Sequence, residues 1–231
     1  MIIAEDLLLL AYDDETGRPT GDRSQLDYRL AGALLVQLAV EGRVDVAPTD
    51  LARPDGSRIK AGSTVVRDGS PTRHPVLDRA LAVVAEKPRA PKDLVAPLSK
   101  GLRDALLTGL AERGVLRRES GKVLGIFPTT SWPTADATHE QHLRARCRDV
   151  LLGSRVPDDR TAALIAVAHG SGLVRGLVAK ADRSRAEARA KELAEQSWAS
   201  GAVRKAVDEM VAAVVLTAVI IPATTATMMT S

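Results

Sequence analysis

Basic side chains are the residues of this sequence whose type and spacing point most directly to a chemical role. Lys100 and Arg103 lie three positions apart, just after Ser99, a residue type that often begins a helix. That spacing would place both side chains on one helical face, close to the unpaired N–H groups of the first turn. Such a pair can hold a phosphate group through charge-assisted hydrogen bonds. A solvated helical face, partly neutralised by Asp104, is the alternative interpretation.

Patterns typical of enzymes and metal sites are weak. Phosphate-binding and dinucleotide-binding glycine motifs are absent. The His-Gly-Ser-Gly stretch at 169–172 lacks the residues that flank a catalytic serine, and a helix end explains the same glycines. His139 and His142 are three positions apart, whereas the zinc-protease helix needs histidines four apart. A metal site formed by these histidines with Asp136 or Cys147 is geometrically possible. The alternative is that the histidines simply lie on an exposed first turn of a helix. We expect no catalysis, no metal and no cofactor.

The composition is that of a folded globular protein. The chain has 231 residues, a net charge of +3, 45% hydrophobic and 26% charged residues, and only 2% aromatic residues. A core with so few rings must be filled by Leu, Val and Ala, which favours helices. Cys147 is the only cysteine, which excludes an internal disulfide and fits a reducing cytosol. The longest apolar run, residues 210–221, is too short to span a bilayer, so we expect any membrane contact to come from the surface.

Capping residues and apolar periodicity predict a single, mainly α domain with short β-hairpins. The domain is expected over residues 1–222, with a flexible tail at 223–231. After a buried first element, helices are predicted at 26–41, 75–86, 99–113, 138–152, 160–169, 184–200 and 202–221.

The remaining elements are short. Residues 44–46 and 65–66 are predicted to pair as strands, and residues 93–97 to form at most one helical turn. A hairpin is predicted with residues 119–122 as its turn, followed by a loop at 128–133.

Five stretches, in order along the chain, carry a family resemblance. They are Leu-Asp-Tyr-Arg-Leu-Ala-Gly-Ala-Leu-Leu-Val-Gln-Leu-Ala-Val-Glu-Gly-Arg-Val at 26–44, Glu-Asp-Leu-Leu-Leu-Leu at 5–10, Leu-Ala-Glu-Arg-Gly-Val-Leu at 110–116, Thr-Thr-Ser-Trp-Pro at 129–133, and Asp-Arg-Thr-Ala-Ala-Leu-Ile-Ala-Val-Ala-His at 159–169. Together they resemble the GPP34 domain of Golgi phosphoprotein 3. The short loops and Ala/Arg-rich composition are similar to the bacterial branch of that family.

The resemblance implies a single-domain helical bundle with peripheral amphipathic helices, loops and one projecting β-hairpin. It also implies a ligand. Eukaryotic members bind the headgroup of phosphatidylinositol 4-phosphate, lie peripherally on the Golgi membrane and hold the tails of glycosyltransferases. Their headgroup pocket has an aromatic residue and three arginines. The matching positions here are Asp22, Ala31, Lys100 and Arg103. The resemblance thus assigns headgroup binding to Lys100 and Arg103, with a phosphoinositide-like lipid or another phosphate as the ligand.

In the family the hairpin carries a hydrophobic tip that enters the bilayer. Burying such side chains contributes about 1.5–3 kcal/mol each, and basic residues near an anionic surface add about 1 kcal/mol each. The alternative is a second strand that faces the core. The residues expected to contact the membrane are Arg117, Arg118, Lys122, Val123, Leu124, Ile126 and Phe127.

These observations predict a peripheral membrane protein on the cytoplasmic, inner face of a membrane. It would bind anionic lipid headgroups and act as an adaptor for the cytosolic tails of membrane proteins, with no nucleic acid as partner. The alternative is a winged-helix DNA-binding protein, because a helix from 75, a turn near 93, a helix from 99 and a basic hairpin follow the winged-helix order. A net charge of +3 gives only a weak field for duplex phosphates.

Overall fold

The computed structural model describes residues 1–20, 22–52, 56–123, 127–196, 199 and 204–219. Within this part the chain forms ten α-helices, one 3-10 turn and three separate pairs of antiparallel strands. The predicted mainly α, single-domain fold class is confirmed.

The helices and strands follow one another along the chain with short connections. The helices are α1 (Ile3–Ala11), α2 (Arg23–Val40), α3 (Pro75–Glu86), α4 (Pro91–Ser99), α5 (Leu102–Glu112), α6 (Thr138–Leu151), α7 (Asp159–Ala168), α8 (Leu173–Gly176), α9 (Arg183–Glu195) and α10 (Arg204–Val219), with the 3-10 turn at Lys180–Asp182. The strands are β1 (Val44–Val46), β2 (Leu51–Ala52), β3 (Arg58–Ile59), β4 (Thr64–Val66), β5 (Glu119–Val123) and β6 (Phe127–Ser131), paired as β1 with β4, β2 with β3, and β5 with β6.

Helix α2 lies at the centre of the bundle, and α1, α3, α4, α5, α7 and α10 pack around it. Leucine and alanine are strong helix formers, and here they occupy every side of the helix. A helix that is apolar all round must be enclosed all round. Its fully enclosed side chains include Leu30, Ala31, Ala33, Leu34, Leu35, Val36, Leu38 and Ala39.

Sequence patterning located several elements well and misjudged others. Helix α3 has the predicted bounds, and β1 pairs with β4 as predicted. The single turn predicted at 93–97 is instead the nine-residue helix α4. Pro91 occupies its first turn, where a missing N–H is tolerated, and the burial of one apolar face stabilises the rest. That face consists of Leu94, Val95 and Leu98.

The predicted helix over 99–113 begins later than expected. Ser99 ends α4, and the backbone leaves helical geometry at Lys100 and Gly101 before α5 begins at Leu102. The prediction that Lys100 and Arg103 share the first turn of one helix is therefore wrong. The sequence predicts Ser99 as the N-cap of the following helix. In the structure its hydroxyl instead donates to the Ala96 carbonyl oxygen of α4, the preceding helix, at 2.9 Å.

The β-hairpin is present, but its turn does not lie at 119–122. Those residues belong to β5, where Gly121 pairs with Thr129 across the ladder. Residues 128–131, predicted as loop, lie in β6. The physical reason is the run of β-favouring threonines in β6, which supplies cross-strand partners for the polar residues of β5.

Two adjacent carboxylates, Glu5 and Asp6, are buried in α1, each with a side chain only 1% exposed. Glu5 binds residues that flank two other helices. The guanidinium of Arg113, just after α5, donates to its Oε1, and His74 Nε2, just before α3, lies 3.0 Å from the same oxygen. Its Oε2 accepts the Ile2 amide at 3.0 Å.

Asp6 makes the corresponding contacts to the other side of the bundle. His139 Nε2 of α6 lies 2.8 Å from its Oδ1, and Arg160 Nη2 of α7 donates to its Oδ2 at 2.5 Å. We call Glu5, Asp6 and their four cationic or imidazole partners the acid clasp. The clasp connects α1 to four other helices.

Ionisation of Glu5 stabilises the clasp. Burial by itself would raise its pKa, but hydrogen bonds from the Ile2 amide, Arg113 and His74 outweigh burial and hold the pKa below its ordinary value of 4.5. A carboxyl group with a lowered folded-state pKa contributes stability that is complete above its unfolded-state pKa. That stability is lost as the pH falls through the folded-state pKa. The clasp is thus an acid-labile part of the core.

Replacing Glu5 by Gln tests the clasp. We expect Glu5→Gln to lower the free energy of unfolding at pH 7 by about 1.5–3 kcal/mol, the range for hydrogen bonds to a charged group. The loss of stability below pH 4.5 should also become shallower, because a titrating group has been removed. Chemical denaturation across the acid range measures both effects. The exposed Glu86→Gln is the control and should change stability by less than about 0.5 kcal/mol; equal effects of the two substitutions would contradict the clasp.

Helices α2 and α10 approach closely at Gly32. A Cβ atom there would lie 2.1 Å from Cγ2 of Val214. The glycine is therefore needed for space between the two helices, which lets the central helix contact α10 directly.

We expect Gly32→Ala to destabilise the protein by about 1–3 kcal/mol through overpacking. The double variant Gly32→Ala/Val214→Ala should recover part of that loss. Gly109→Ala in α5 is the matched control, because a Cβ atom there has nothing within 4 Å. It should be stabilising by about 0.5–1 kcal/mol. Thermal or urea unfolding distinguishes these outcomes, and a neutral Gly32→Ala would show that α10 does not pack so closely.

Candidate functional site

An open cavity of about 350 Å³ lies between the loop after α1, the start of α2, helix α5 and strand β6. Three arginines and two aromatic residues line it, so we call it the arginine cavity. Its lining residues are Tyr12, Gly17, Arg18, Pro19, Arg23, Arg103, Asp104, Leu107, Thr129, Thr130 and Trp132.

The 13–20 loop forms one wall of the cavity and is held by its own hydrogen bonds. Asp13 Oδ1 accepts from the Thr16 amide at 2.8 Å and from its hydroxyl at 2.7 Å. The loop closes where the Asp13 amide donates to the Arg18 carbonyl oxygen at 2.9 Å. Asp is favoured in turns because its side chain can accept hydrogen bonds from nearby backbone amides in this way. Arg18 is thereby displayed at the exposed edge of the cavity.

The loop docks directly on the base of the hairpin. The Trp132 amide donates to the Gly17 carbonyl oxygen at 2.9 Å, and the Thr134 amide donates to that of Asp14 at 3.1 Å. Gly17 has φ +61°, and a Cβ atom there would lie 2.3–2.4 Å from backbone atoms of Trp132 and Pro133. Only glycine fits both the backbone angle and the space.

The three arginines reach the cavity from different elements. Arg23 is the exposed first residue of α2, whose N-cap Asp22 accepts the Gln25 amide at 3.0 Å. Arg103 lies in the first turn of α5, where its Nε is 3.5 Å from Asp27 Oδ1.

The ion pair with Asp27 compensates only part of the charge of Arg103. Both side chains are partly exposed, at 22% and 29%, and such pairs contribute little. The Arg103 Nη1 atom is buried, and no acceptor within the described residues reaches it. Burial raises the pKa of Asp27, while the charge of Arg103 opposes that rise. Arg103 thus lines the cavity with an incompletely neutralised charge.

Trp132 joins the arginines to the hairpin. The Arg118 guanidinium lies 5.6 Å from its ring centre, a cation–π contact. Trp132, Arg18 and Arg23 were missed by sequence reasoning as site residues. The Thr-Thr-Ser-Trp-Pro stretch was the available signal for Trp132, but no local pattern indicates that a loop arginine at 18 and a helix-end arginine at 23 converge on it.

The predicted headgroup residues are separated by the fold. Arg103 lines the cavity, whereas Lys100 is exposed in the connection between α4 and α5 and is not among the lining residues. Ala31 is fully buried in α2. Arg29, two positions earlier, is also buried, and it donates to the Val167 and His169 carbonyl oxygens at 2.8 and 2.7 Å. Burial lowers the pKa of Arg29 to about 10.

The predicted membrane-contacting residues are only partly described. Arg117 is exposed, and its Nη2 lies 3.6 Å from Glu119 Oε1, which is a weak surface ion pair. Arg118 is exposed and stacks on Trp132. For Lys122, Val123 and Phe127 the backbone alone is described, and Leu124 and Ile126 lie outside the described residues.

The histidines and the cysteine considered for metal binding have other surroundings. His139 contacts Asp6 in the acid clasp. Cys147 is buried, and burial raises the pKa of its thiol to about 12. Ser171 donates its hydroxyl to the Ala168 carbonyl oxygen at 2.5 Å, as expected at a helix end. Across the described ranges, no group of three or more potential ligands is arranged to hold a metal ion.

Comparison with known proteins decides the family. The family model of Golgi phosphoprotein 3 (GPP34) matches residues 3–210. The chain belongs to the GPP34 family. It is also 27% identical over 229 residues to Vacuolar protein sorting-associated protein 74 of Eremothecium gossypii, covering 85% of this chain and 68% of that protein. That relative is fungal, so the bacterial origin predicted from composition stays a prediction.

No helix in the described part of this GPP34-family chain is both long enough and apolar enough to cross a bilayer.

Gly17 provides a test of how the 13–20 loop docks on the hairpin in this GPP34-family chain. We expect Gly17→Ala to destabilise by about 1–2 kcal/mol for the left-handed backbone and by about 1–3 kcal/mol more for the clash with the hairpin. Gly62→Ala is the matched control, because Gly62 has φ +79° with nothing within 4 Å of its added Cβ atom. Urea unfolding of both variants isolates the docking contribution. Equal losses would show that the loop does not pack on the hairpin.

Proposed function

We propose that this protein is a peripheral membrane protein that binds the phosphate of an anionic lipid headgroup in the arginine cavity. The supporting observation is the convergence of Arg18, Arg23 and Arg103 on one open cavity beside the β5–β6 hairpin. The preferred ligand in this proposal is a phosphoinositide-like headgroup such as that of phosphatidylinositol 4-phosphate, the ligand implied by the family resemblance.

The chemistry of the lining suits a phosphate group. Guanidinium groups offer planar pairs of N–H donors that match phosphate oxygens, and they remain charged at every physiological pH. Asp104 is the acidic residue on the lining, so the three arginines leave an excess of positive charge. The hydroxyls of Thr129 and Thr130 add neutral donors from β6.

The cavity shares Arg103 with the positions that the resemblance assigns to the family pocket, and its other arginines and its tryptophan come from other positions. Asp22 and Ala31 stand where the resemblance places an aromatic residue and an arginine, and neither position provides such a group. In our proposal Trp132 supplies the ring, and Arg18 and Arg23 supply the cations that Ala31 and Lys100 do not bring to the cavity. The role of Lys100 in headgroup binding stays a prediction.

The hairpin is the second part of the proposed membrane contact. Arg117 and Arg118 are exposed at its base, and Arg118 stacks on Trp132. Near an anionic surface each exposed arginine contributes about 1 kcal/mol of attraction. We propose that these residues and the apolar residues predicted at 123–127 approach the bilayer together.

The proposed setting is the cytoplasmic face of a membrane, where the protein would act as an adaptor for the cytosolic tails of membrane proteins. The fungal relative is a vacuolar protein sorting-associated protein, and this supports a role in sorting. We propose no catalytic residue, metal or cofactor for this chain.

The winged-helix alternative lacks support. Helix α5 would be the recognition helix, yet its exposed residues include Asp104 and Glu112, which would repel phosphates. Arg113, just after this helix, is committed to the buried carboxylate of Glu5. Membership of the GPP34 family adds nothing in favour of DNA binding.

Vesicle binding tests the proposal. We expect the protein to co-sediment with phosphatidylcholine vesicles that contain phosphatidylinositol 4-phosphate, and not with phosphatidylcholine alone. Arg18→Ala/Arg23→Ala should weaken binding at least about tenfold, because two charge-assisted hydrogen-bonding groups are lost. Lys87→Ala/Lys191→Ala is the control for net charge, since it removes two exposed cations outside the cavity lining. Equal sedimentation of the two double variants would overturn the proposed site.

Two single variants compare the sequence-based site with the cavity. Arg103→Ala should weaken vesicle binding, whereas Lys100→Ala should behave like the charge control, because Lys100 does not line the cavity. A strong effect of Lys100→Ala alone would favour the site predicted from the sequence. Phosphatidylserine vesicles, used at the same total charge, distinguish recognition of the headgroup from attraction to any acidic surface.

A further inference from the structure

Tyr12 is the second aromatic residue on the lining of the arginine cavity, beside Trp132. It is the first residue after α1, and its amide donates to the Leu9 carbonyl oxygen of that helix at 3.2 Å. It also pairs with Pro19 in an isolated antiparallel bridge, which closes the base of the 13–20 loop. Only 7% of the residue is exposed. The position of its ring is therefore set by backbone contacts and by burial.

The hydroxyl group of Tyr12 is open to a partner from outside the chain. Within the described residues no donor or acceptor reaches it, and its oxygen is not among the fully enclosed polar atoms. Buried tyrosines usually place this group against a hydrogen-bond partner, because an unsatisfied polar group costs free energy. The neighbouring Thr20 shows the usual case, since its hydroxyl donates to the Ala11 carbonyl oxygen at 3.1 Å. The Tyr12 hydroxyl is thus free to donate to a ligand.

The charged groups around this hydroxyl belong to the arginine cavity. Tyr12 also borders a second open cleft, whose acidic lining residues are Asp13, Asp14 and Glu15. The charges that act on its phenol are instead those of Arg103, Arg23, Asp27 and Asp104. Three of these four residues line the arginine cavity, and Asp27 is the ion-pair partner of Arg103. The hydroxyl therefore lies on the side of the guanidinium groups.

The hydroxyl stays protonated among these arginines. Burial raises the pKa of Tyr12 above its ordinary value of 10, whereas the charges of Arg103 and Arg23 act in the opposite direction. At neutral pH the group is a neutral donor beside permanent cations. Such a donor complements the arginines, because guanidinium groups attract any anion, whereas a hydroxyl requires an acceptor oxygen at one position.

We propose that Tyr12 is a specificity-determining residue of the arginine cavity, and that its hydroxyl donates a hydrogen bond to an oxygen of the bound phosphate. This inference rests on the function proposed above. A terminal phosphate offers three free oxygens to the hydroxyl and the guanidinium groups, whereas the phosphodiester of an ordinary phospholipid offers two. The hydroxyl therefore favours a headgroup with a terminal phosphate over a headgroup that carries only the diester.

Tyr12→Phe tests this contact, because it removes only the hydroxyl. Binding to vesicles with phosphatidylinositol 4-phosphate should weaken about tenfold, and binding to phosphatidylserine vesicles of the same total charge by less than about twofold. Tyr28→Phe is the matched control, since Tyr28 of α2 is half-buried and is not among the lining residues of the cavity. It should bind both kinds of vesicle like the wild type. Equal binding by the two variants overturns the role of Tyr12.

Two further measurements distinguish a lost ligand contact from a structural change. The urea midpoint of Tyr12→Phe should equal that of the wild type, because the hydroxyl has no partner in the described part of the chain. The loss of binding should persist between about 0.1 M and about 0.5 M NaCl, because salt screens the attraction to the arginines but not a neutral hydrogen bond. A lowered midpoint, or a loss that disappears at high salt, overturns the assignment.

A soluble phosphate ester offers the same terminal phosphate as a lipid headgroup. Titration calorimetry with glycerophosphoinositol 4-phosphate, the headgroup without acyl chains, distinguishes the two sources. We expect it to bind the wild type about tenfold more tightly than Tyr12→Phe. That result with no binding to vesicles overturns the membrane function and leaves the Tyr12 contact standing. Loss of vesicle binding in Arg18→Ala/Arg23→Ala but not in Tyr12→Phe overturns the contact and leaves the proposed function standing.

Discussion

The buried carboxylates Glu5 and Asp6 are the constraint on which the rest of the structure depends. Each is almost completely removed from water, so each requires partners that the surrounding helices must bring. Those partners lie just before α3, just after α5, at the start of α6 and in α7. Removing one partner from such a pair leaves an uncompensated buried charge, which gives the clasp a strong influence on how the helices are arranged around α1.

The clasp also explains which cations remain for a ligand. Arg113 and Arg160 are committed to buried carboxylates, and Arg29 is buried against the carbonyl oxygens at the end of α7. The cations on the cavity lining come instead from a loop, from the first residue of α2 and from the first turn of α5. Arg113 and Arg160 are thus set apart from the cavity arginines by their buried carboxylate partners and not by their own burial, because both are more exposed than Arg103.

The 13–20 loop connects these parts. It begins directly after α1, which the clasp fixes, and it ends before α2, the centre of the bundle. Its backbone docks on the hairpin at Trp132 and Thr134, so the arginine cavity is formed between a rigid core and two connecting segments. Because binding sites on loops need a rigid support, the clasp and the cavity are two consequences of one arrangement.

Local patterning was sufficient to predict the helical class, the bounds of α3 and the pairing of β1 with β4. Helix period, proline position and strand alternation are properties of neighbouring residues. The prediction that Lys100 and Arg103 share one helix was wrong, because the burial of α4 decided where that helix ends. The prediction of a hairpin turn at Gly121 was wrong, because Gly121 pairs with β6 across the ladder. The sequence by itself determined which residues could carry charge and which had to be buried. Only the tertiary structure decided that Arg18, Arg23, Arg103 and Trp132 share one cavity, because contacts among residues so far apart in the chain depend on how the helices pack and not on any local preference.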